Sequence, residues 1–167
     1  MDTNTSDSAD SSTTGTGAKD APPTILQVLP RLETGGVERG TVDVTRAIVD
    51  AGWRAVVASG GGPMVREIER AGGLHVTLPM FAKSPLVMRA NIKRLVAVIR
   101  QHDVAIVHVR SRAPAWSALA ASRRTGVRFI TTFHGAYNES NFVKRRYNSV
   151  MRSEGHTSEL QSRSELV

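Results

Sequence analysis

The sequence contains no cysteine. That excludes disulfide cross-links and thiolate-ligated metal, and it fits a reducing compartment without requiring one. Aromatic residues make up only 5% of the chain, and they do not interleave with basic residues as a base-stacking platform requires. No apolar run approaches the length of a membrane-spanning helix. Acidic residues are outnumbered, 15 against 22 Lys and Arg, for a net charge of +7. That sign admits phosphorylated substrates, an anionic membrane surface or nucleic acid as partners. The scarcity of aromatics places nucleic acid last.

Several chemical signatures are missing too. The histidines are scattered and no HExxH occurs, so no metal is expected. There is no G-x-S-x-G of the hydrolase kind. A dinucleotide fingerprint needs glycines at spacings of two and then three, which Gly35, Gly36 and Gly40 do not supply. Ser59-Gly60-Gly61 stand where its acidic residue belongs. The run from Gly35 to Gly40 has the glycine spacing of a P-loop, but Thr41 occupies the place of the lysine. No cofactor is expected.

What is present is organised around one turn, Leu29-Pro30-Arg31-Leu32-Glu33-Thr34-Gly35-Gly36. A short apolar run over 24–29 precedes it and a helical pattern over 37–51 follows, with Val37, Val44, Ile48 and Ala51 three, four or seven apart. Strand, glycine pair and helix make a first βα unit. Glycine admits close backbone approach, and a helix start offers unpaired N–H groups and partial positive charge. An anion, phosphate above all, is the natural guest.

Residues 1–23 are Ser, Thr, Asp and Gly with little to bury and read as a disordered tail. They lack the basic and apolar regions of a secretory leader. Beyond Pro22-Pro23 strands are expected at 54–59, 74–78, 104–109 and 128–133, with helices at 64–71, 87–101, 113–124 and 142–151. In the helix at 87–101, Ile92, Leu95, Val96 and Ile99 form the apolar stripe. The alternation predicts an α/β fold, a Rossmann-like doubly wound parallel sheet of about five strands with strand one central.

Such sheets bind ligands beyond the carboxyl ends of their strands. The rule points to Gly35, Gly36 and Glu38 after the first strand, to His108, Arg110 and Arg112 around the end of the fourth, and to His134 after the fifth. Each has a plainer reading. The glycine pair suits a tight turn equally well. His108 sits inside an apolar run and reads first as a structural histidine. Arg110 and Arg112 suit a solvated loop as well as a phosphate clamp, and Glu38 complements a helix dipole. His134, followed by Gly135, leans toward function.

TGGVERG after the first strand, AGWRAVVASGGG, IVHVRSRAPAW and ITTFHGAY, in that order and spacing, resemble the amino-terminal domain of family 4 retaining glycosyltransferases of the GT-B fold. The resemblance covers residues 24–151. It implies two facing Rossmann-like domains with the site in the cleft between them. The amino-terminal domain holds mainly the acceptor, and the other holds the nucleotide-sugar donor. By the same resemblance Gly35 and Gly36 lie against the donor phosphates and acceptor, His134 contacts the transferred sugar as the catalytic candidate, and Glu38 matches the acidic residue after the glycines. The implied partners are a nucleotide-sugar donor, a saccharide or lipid-linked acceptor, and an anionic membrane contacted peripherally from the cytoplasm. The carboxy-terminal domain and its glutamate pair, separated by seven residues, are missing from the chain.

RSEGHTSELQS, opening at Arg152, resembles a translated sequencing adaptor. Residues 152–167 are therefore expected to be an artefactual tail and 24–151 a truncated domain, inactive alone. Two alternatives stay open: a non-enzymatic anion-binding domain of flavodoxin-like topology, and a different nucleotide-binding enzyme such as a dehydrogenase.

Overall fold

The computed structural model describes residues 21–82 and 84–132. Within them the order is β1 (Thr24–Val28), α1 (Gly36–Asp50), β2 (Arg54–Ser59), α2 (Val65–Arg70), β3 (Leu74–Thr77), α3 (Pro85–Gln101), β4 (Val104–Val109), α4 (Arg112–Thr125) and β5 (Arg128–Thr131). The five strands pair in parallel in the order β3-β2-β1-β4-β5, so β1 is central as expected.

The topology decides which helix covers which face. The chain runs outward from β1 to β3, and α3 then carries it back across to β4 on the other side of β1. Right-handed crossovers in opposite directions put their helices on opposite faces. Accordingly α1 packs beside α2, and α3 beside α4. On the α3–α4 face Leu26, Val28, Val107 and Val109 meet Leu95, Ile99, Ala115 and Ala118 in the main core. On the α1–α2 face Leu29, Leu32, Val42, Val57 and Ile68 form one cluster, and Ile25, Ile48 and Ala55 another. Each such buried Leu, Ile or Val stabilises the fold by about 1.5–3 kcal/mol relative to leaving it in water.

The strands expected at 54–59 and 104–109 appear with those bounds. Elsewhere the ends differ by one or two residues. Helix α3 begins at Pro85, a residue suited to a first helical position because its missing N–H has no helical partner there. Strand β5 ends at Thr131. Two buried faces also differ. In α1 the buried positions are Thr41, Val42, Thr45 and Ile48, while Val37 and Val44 are half-buried and Ala51 is an exposed C-cap. In α3 Asn91 and Val98 join Leu95 and Ile99 inside, and Ile92 and Val96 pack only partly against the core. The Asn91 amide is satisfied there, Nδ2 donating to Pro79 O at 2.9 Å.

Gly126 ends α4 in the left-handed region, φ 76, with its N–H on Ser122 O at 2.8 Å. The helix expected at 142–151, the tail at 152–167 and most of the tail at 1–23 lie outside the described residues. Among the described residues no helix is long and apolar enough to cross a membrane.

Candidate functional site

Strand order reverses between β1 and β4. The loop leaving β1 turns to α1 on one face, and the loop leaving β4 turns to α4 on the other. The carboxyl ends of these two strands therefore part to leave a crevice, the place where doubly wound sheets receive ligands.

The β1 side of the crevice has a firm floor. Leu29 and Leu32 are fully buried. Backbone bonds join this loop to the one after β2: Leu29 N to Ala58 O at 3.2 Å, Gly60 N to Pro30 O at 2.8 Å, Leu32 N to Gly61 O at 2.8 Å and Met64 N to Leu32 O at 3.1 Å. Gly62 has φ 143, and a Cβ there would overlap the Leu32 carbonyl, so close loop-to-loop contact requires glycine at this position.

Above that floor Gly35 and Gly36 are exposed. Gly35 is the extended N-cap of α1 and accepts the first helical bond from Arg39 N at 2.9 Å. No side chain caps the helix start, so its first N–H groups have no helical or side-chain partner. The Glu38 carboxylate folds back over the turn, close enough that a Cβ on Gly35 would stand 2.5 Å from Oε2. It partly offsets the positive end of the helix. Across the crevice α4 starts in the same fashion, at extended Ser111 with no side-chain cap bond, and Arg112 is its first residue.

Arg110 lies directly after β4 and is only 7% exposed. Strand alternation explains this. Val107 and Val109 face α3 and α4, so Ile106, His108 and Arg110 face the α1 side. The guanidinium reaches α1: Nη1 donates to Gln27 Oε1 at 3.0 Å and to Gly40 O at 3.1 Å. Gln27, fully buried in β1, donates through Nε2 to Thr45 Oγ1 at 2.9 Å and Thr41 O at 3.2 Å. Both of these acceptors are neutral oxygens, and the Nε of Arg110 is buried without a partner. Burial pushes the Arg110 pKa down and Asp43 opposes that. The group stays a cation nonetheless, given how far an arginine lies from neutrality.

The structure thus brings Gly35, Gly36, Glu38 and Arg110 to one edge of the sheet, with Arg112 opening the helix across the crevice. His108 lies one strand position inside, opposite Gln27 in register, its Nε2 3.1 Å from Thr132 Oγ1. His134 lies outside the described residues. Gln27, Gly40, Thr41 and Thr45 are site-supporting residues that sequence reasoning missed. The available signal was a single polar residue inside the apolar run TILQV. Among the described residues no group of three or more His, Asp or Glu is placed to hold a metal. A cleft of about 650 Å³ beside Leu119, Arg123 and Phe129 is at the far end of α4 and not at this crevice.

A chain that builds this crevice has recognisable relatives. No curated protein shows significant sequence similarity to it. Among solved structures, a glycosyltransferase from Rickettsia africae ESF-5 is 44% identical, with a TM-score of 0.69 over 78% of this chain and 34% of that one. MurG of Acinetobacter baumannii shares the fold at 13% identity, TM-score 0.61, over 78% of this chain and 40% of its own. So does a UDP-GlcNAc 2-epimerase from Neisseria meningitidis bound to UDP-GlcNAc, at 12% identity and TM-score 0.50, over 77% and 38%. The chain spans about a third of the length of the Rickettsia protein. The family model for Glycosyltransferase Family 4 matches residues 34–158, most of the sequence, and with the doubly wound sheet and the glycine-led helix start this establishes that the chain belongs to glycosyltransferase family 4.

Proposed function

We propose that this chain is the acceptor-side, amino-terminal half of a retaining glycosyltransferase that moves a sugar from a nucleotide-sugar donor to a hydroxyl of a saccharide or lipid-linked acceptor. The observation that carries the reading is the uncapped helix start behind Gly35 and Gly36, set at the strand-order reversal beside the buried Arg110 cation. Backbone N–H groups held on a rigid floor stabilise developing phosphate charge without reorganising. Glycine at 35 and 36 lets the leaving diphosphate approach them. Arg110 holds the second turn of α1, and with it the helix start, in position. Arg112 and His108 border the acceptor side. His134 contacts the transferred sugar, and Glu38 adjusts the charge at the helix start.

The domain runs over 24–151, and residues 152–167 are an artefactual extension. A second Rossmann-like domain supplies most of the donor contacts. The protein works in the cytoplasm, peripherally on a membrane, and needs neither metal nor cofactor. The 44% identity to a solved glycosyltransferase supports the reaction class. Alone, half a cleft loses donor positioning and exclusion of water, which carry much of the rate enhancement.

The test is to assay the 167-residue chain and a form extended from its genomic locus to the length of its relatives, each against a panel of nucleotide sugars and acceptors. Transfer by the extended form only, abolished by His134→Ala with folding intact, is the expected result. Transfer by the short chain would overturn the division of labour. A folded extended form that hydrolyses or transfers none of the donors would overturn the reaction class.

A further inference from the structure

Strand β5 is the outermost on its side of the sheet among the described residues, and its apolar surface is only partly covered. Phe129 pairs in register with Val107 and packs against the main core, yet it and Val127 stay half-buried. Ile130, one position on, is 46% exposed. Beside them and the last turns of α4 runs the cleft of about 650 Å³, bordered by Leu119, Ser122, Val127, Phe129 and Ile130. Ser122 is 2% exposed, and its Oγ has no hydrogen-bond partner. An open strand edge, apolar side chains and a stranded buried hydroxyl at one place are each unfavourable in water.

The direction of the chain selects the occupant. From β3 through β4 to β5 the chain steps the same way across the sheet, with α3 and α4 on one face. A connection that continues outward from β5 carries its helix on that same face, beside α4, because its crossover has the same hand. The next helical pattern is 142–151, which lies outside the described residues. There Val143, Tyr147, Val150 and Met151 recur at the spacing of one helical face, and Arg145, Asn148 and Ser149 fall opposite. A helix over 142–151 spans about 15 Å, and the four residues of β5 span about 13 Å, so the two match in length. Residues 133–141 reach up to about 30 Å, enough to turn from the end of β5 to such a helix. Tyr147 also brings a hydroxyl to the side of Ser122.

The contact is apolar. Arg123 and Arg128 rim the cleft, and Lys144, Arg145 and Arg146 are in the segment. Charge therefore opposes the docking and is not its source.

We propose that residues 142–151 dock as an amphipathic helix in the cleft between α4 and the edge of β5, with Val143, Tyr147 and Val150 against Leu119, Val127 and Phe129. Docked there, the segment anchors the far end of 133–141. The near end leaves β5 where Thr132 N bonds Val109 O at 3.0 Å, directly before Arg110. His134 rides on that stretch, so the docked helix is a positioning element for it. This last consequence rests on the function proposed above, whereas the docking itself does not.

The segment carries its own reporter, since trypsin cuts after Lys144, Arg145 and Arg146, and Arg163 in the tail supplies a reference site. The 167-residue chain is digested briefly and the products are read by mass spectrometry. Cleavage after 144–146 should be at least about tenfold slower than after Arg163, because proteolysis of a docked segment tracks its open fraction. Protection should survive about 1 M salt, where screening shortens to about 3 Å, since only repulsion is screened. Tyr147→Gln with Val150→Gln keeps every cleavage site and should abolish the protection. Val127→Gln with Ile130→Gln should do the same from the cleft side. Leu74→Gln is the matched control, on the opposite edge strand β3 and 47% exposed, and should leave the protection intact. Thermal melting of each variant verifies that the sheet is folded.

Cleavage after 144–146 as fast as after Arg163 in the folded, unmodified chain would overturn the docking. Equal loss of protection in Leu74→Gln would overturn it too, by assigning the protection to general stability. Protection untouched by Val127→Gln with Ile130→Gln would place the segment elsewhere. Protection that disappears when a dimer is diluted to monomer would give the cleft to a second copy of the chain. Protection in this chain, with no transfer by its extended form, would keep the docking and sink the functional reading.

Discussion

The guanidinium of Arg110 lies against α1 at residue 40, where the helix carries no side chain: Nη1 donates to Gly40 O at 3.1 Å, and Nη2 would stand 2.9 Å from a Cβ on Gly40. Glycine inside a helix costs about 1 kcal/mol relative to alanine. Here that cost admits a cation from the neighbouring strand. Gly40→Ala should therefore destabilise the chain by about 1 kcal/mol in urea unfolding, although helix propensity alone favours it. In an Arg110→Met background the sign should reverse, since the competing atoms are gone and only propensity remains. A stabilising Gly40→Ala in the unmodified chain would show that Arg110 does not occupy this position.

Gln27 is the other anchor of the same cation. Gln27→Leu keeps the volume but removes the Oε1 that accepts from Arg110 Nη1 and the Nε2 that serves Thr45. Leaving a buried charge short of a partner costs about 2–3 kcal/mol. Replacing both partners by apolar groups costs less than the single change, because no charge is then stranded. Gln27→Leu should accordingly be more damaging than Gln27→Leu with Arg110→Met. Equal midpoints for the two variants would remove Gln27 from the network.

These residues mark where the sequence stopped being legible. The alternation of strands and helices, the central place of β1 and the bounds of β2 and β4 could all be read from apolar runs broken by glycine. The buried face of α1 could not. Hydrophobic periodicity selected Val44 and Ala51, whereas Thr41 and Thr45 lie inside because they meet a polar side chain, Gln27, across the interface. Arg110 looked like a rim residue because it follows a strand. Its direction depends on the alternation of β4 with α1 overhead, a relation between elements 70 residues apart in sequence. The glycine pair and its edge were visible, but not the arginine's role in holding the helix behind it.

His75 gives the fold a pH dependence. It sits on β3, where Ser59 Oγ, 2.8 Å from its Nε2, also accepts from Gly61 N at 3.1 Å. Burial lowers its pKa from the ordinary 6.5, with Glu69 pulling the other way. The folded chain thus holds this proton less readily than the unfolded chain. The contribution to stability is complete above pH 6.5, starts to fall below it, and is lost once the pH has dropped past the folded value. The melting temperature should drop between about pH 7 and about pH 5. His75→Gln, which can still bond Ser59, should flatten that part of the profile. An unchanged slope would assign the dependence to other groups.

Gly35 separates a turn from a binding element. Its backbone is extended, φ −178, a conformation any residue adopts. An added methyl would meet only the Glu38 carboxylate, at 2.5 Å from Oε2, the free end of a flexible side chain that can swing away. Gly35→Ala should change unfolding stability by no more than about 1 kcal/mol, the usual range for an N-cap change. If the helix start receives donor phosphates, the same methyl holds them off the N–H groups. Loss of one such preorganised donor typically costs about 100- to 1,000-fold in rate, so a partial displacement should lower the transfer rate of the extended protein at least about tenfold. Glu38→Gln serves as the comparison: it removes the carboxylate that folds over Gly35 without adding bulk. Were displacement of Glu38 the whole effect of the alanine, the two variants would lose activity alike. A larger loss in Gly35→Ala isolates the close backbone approach. A folded Gly35→Ala variant with unchanged kcat and KM would make the glycine pair a turn and nothing more.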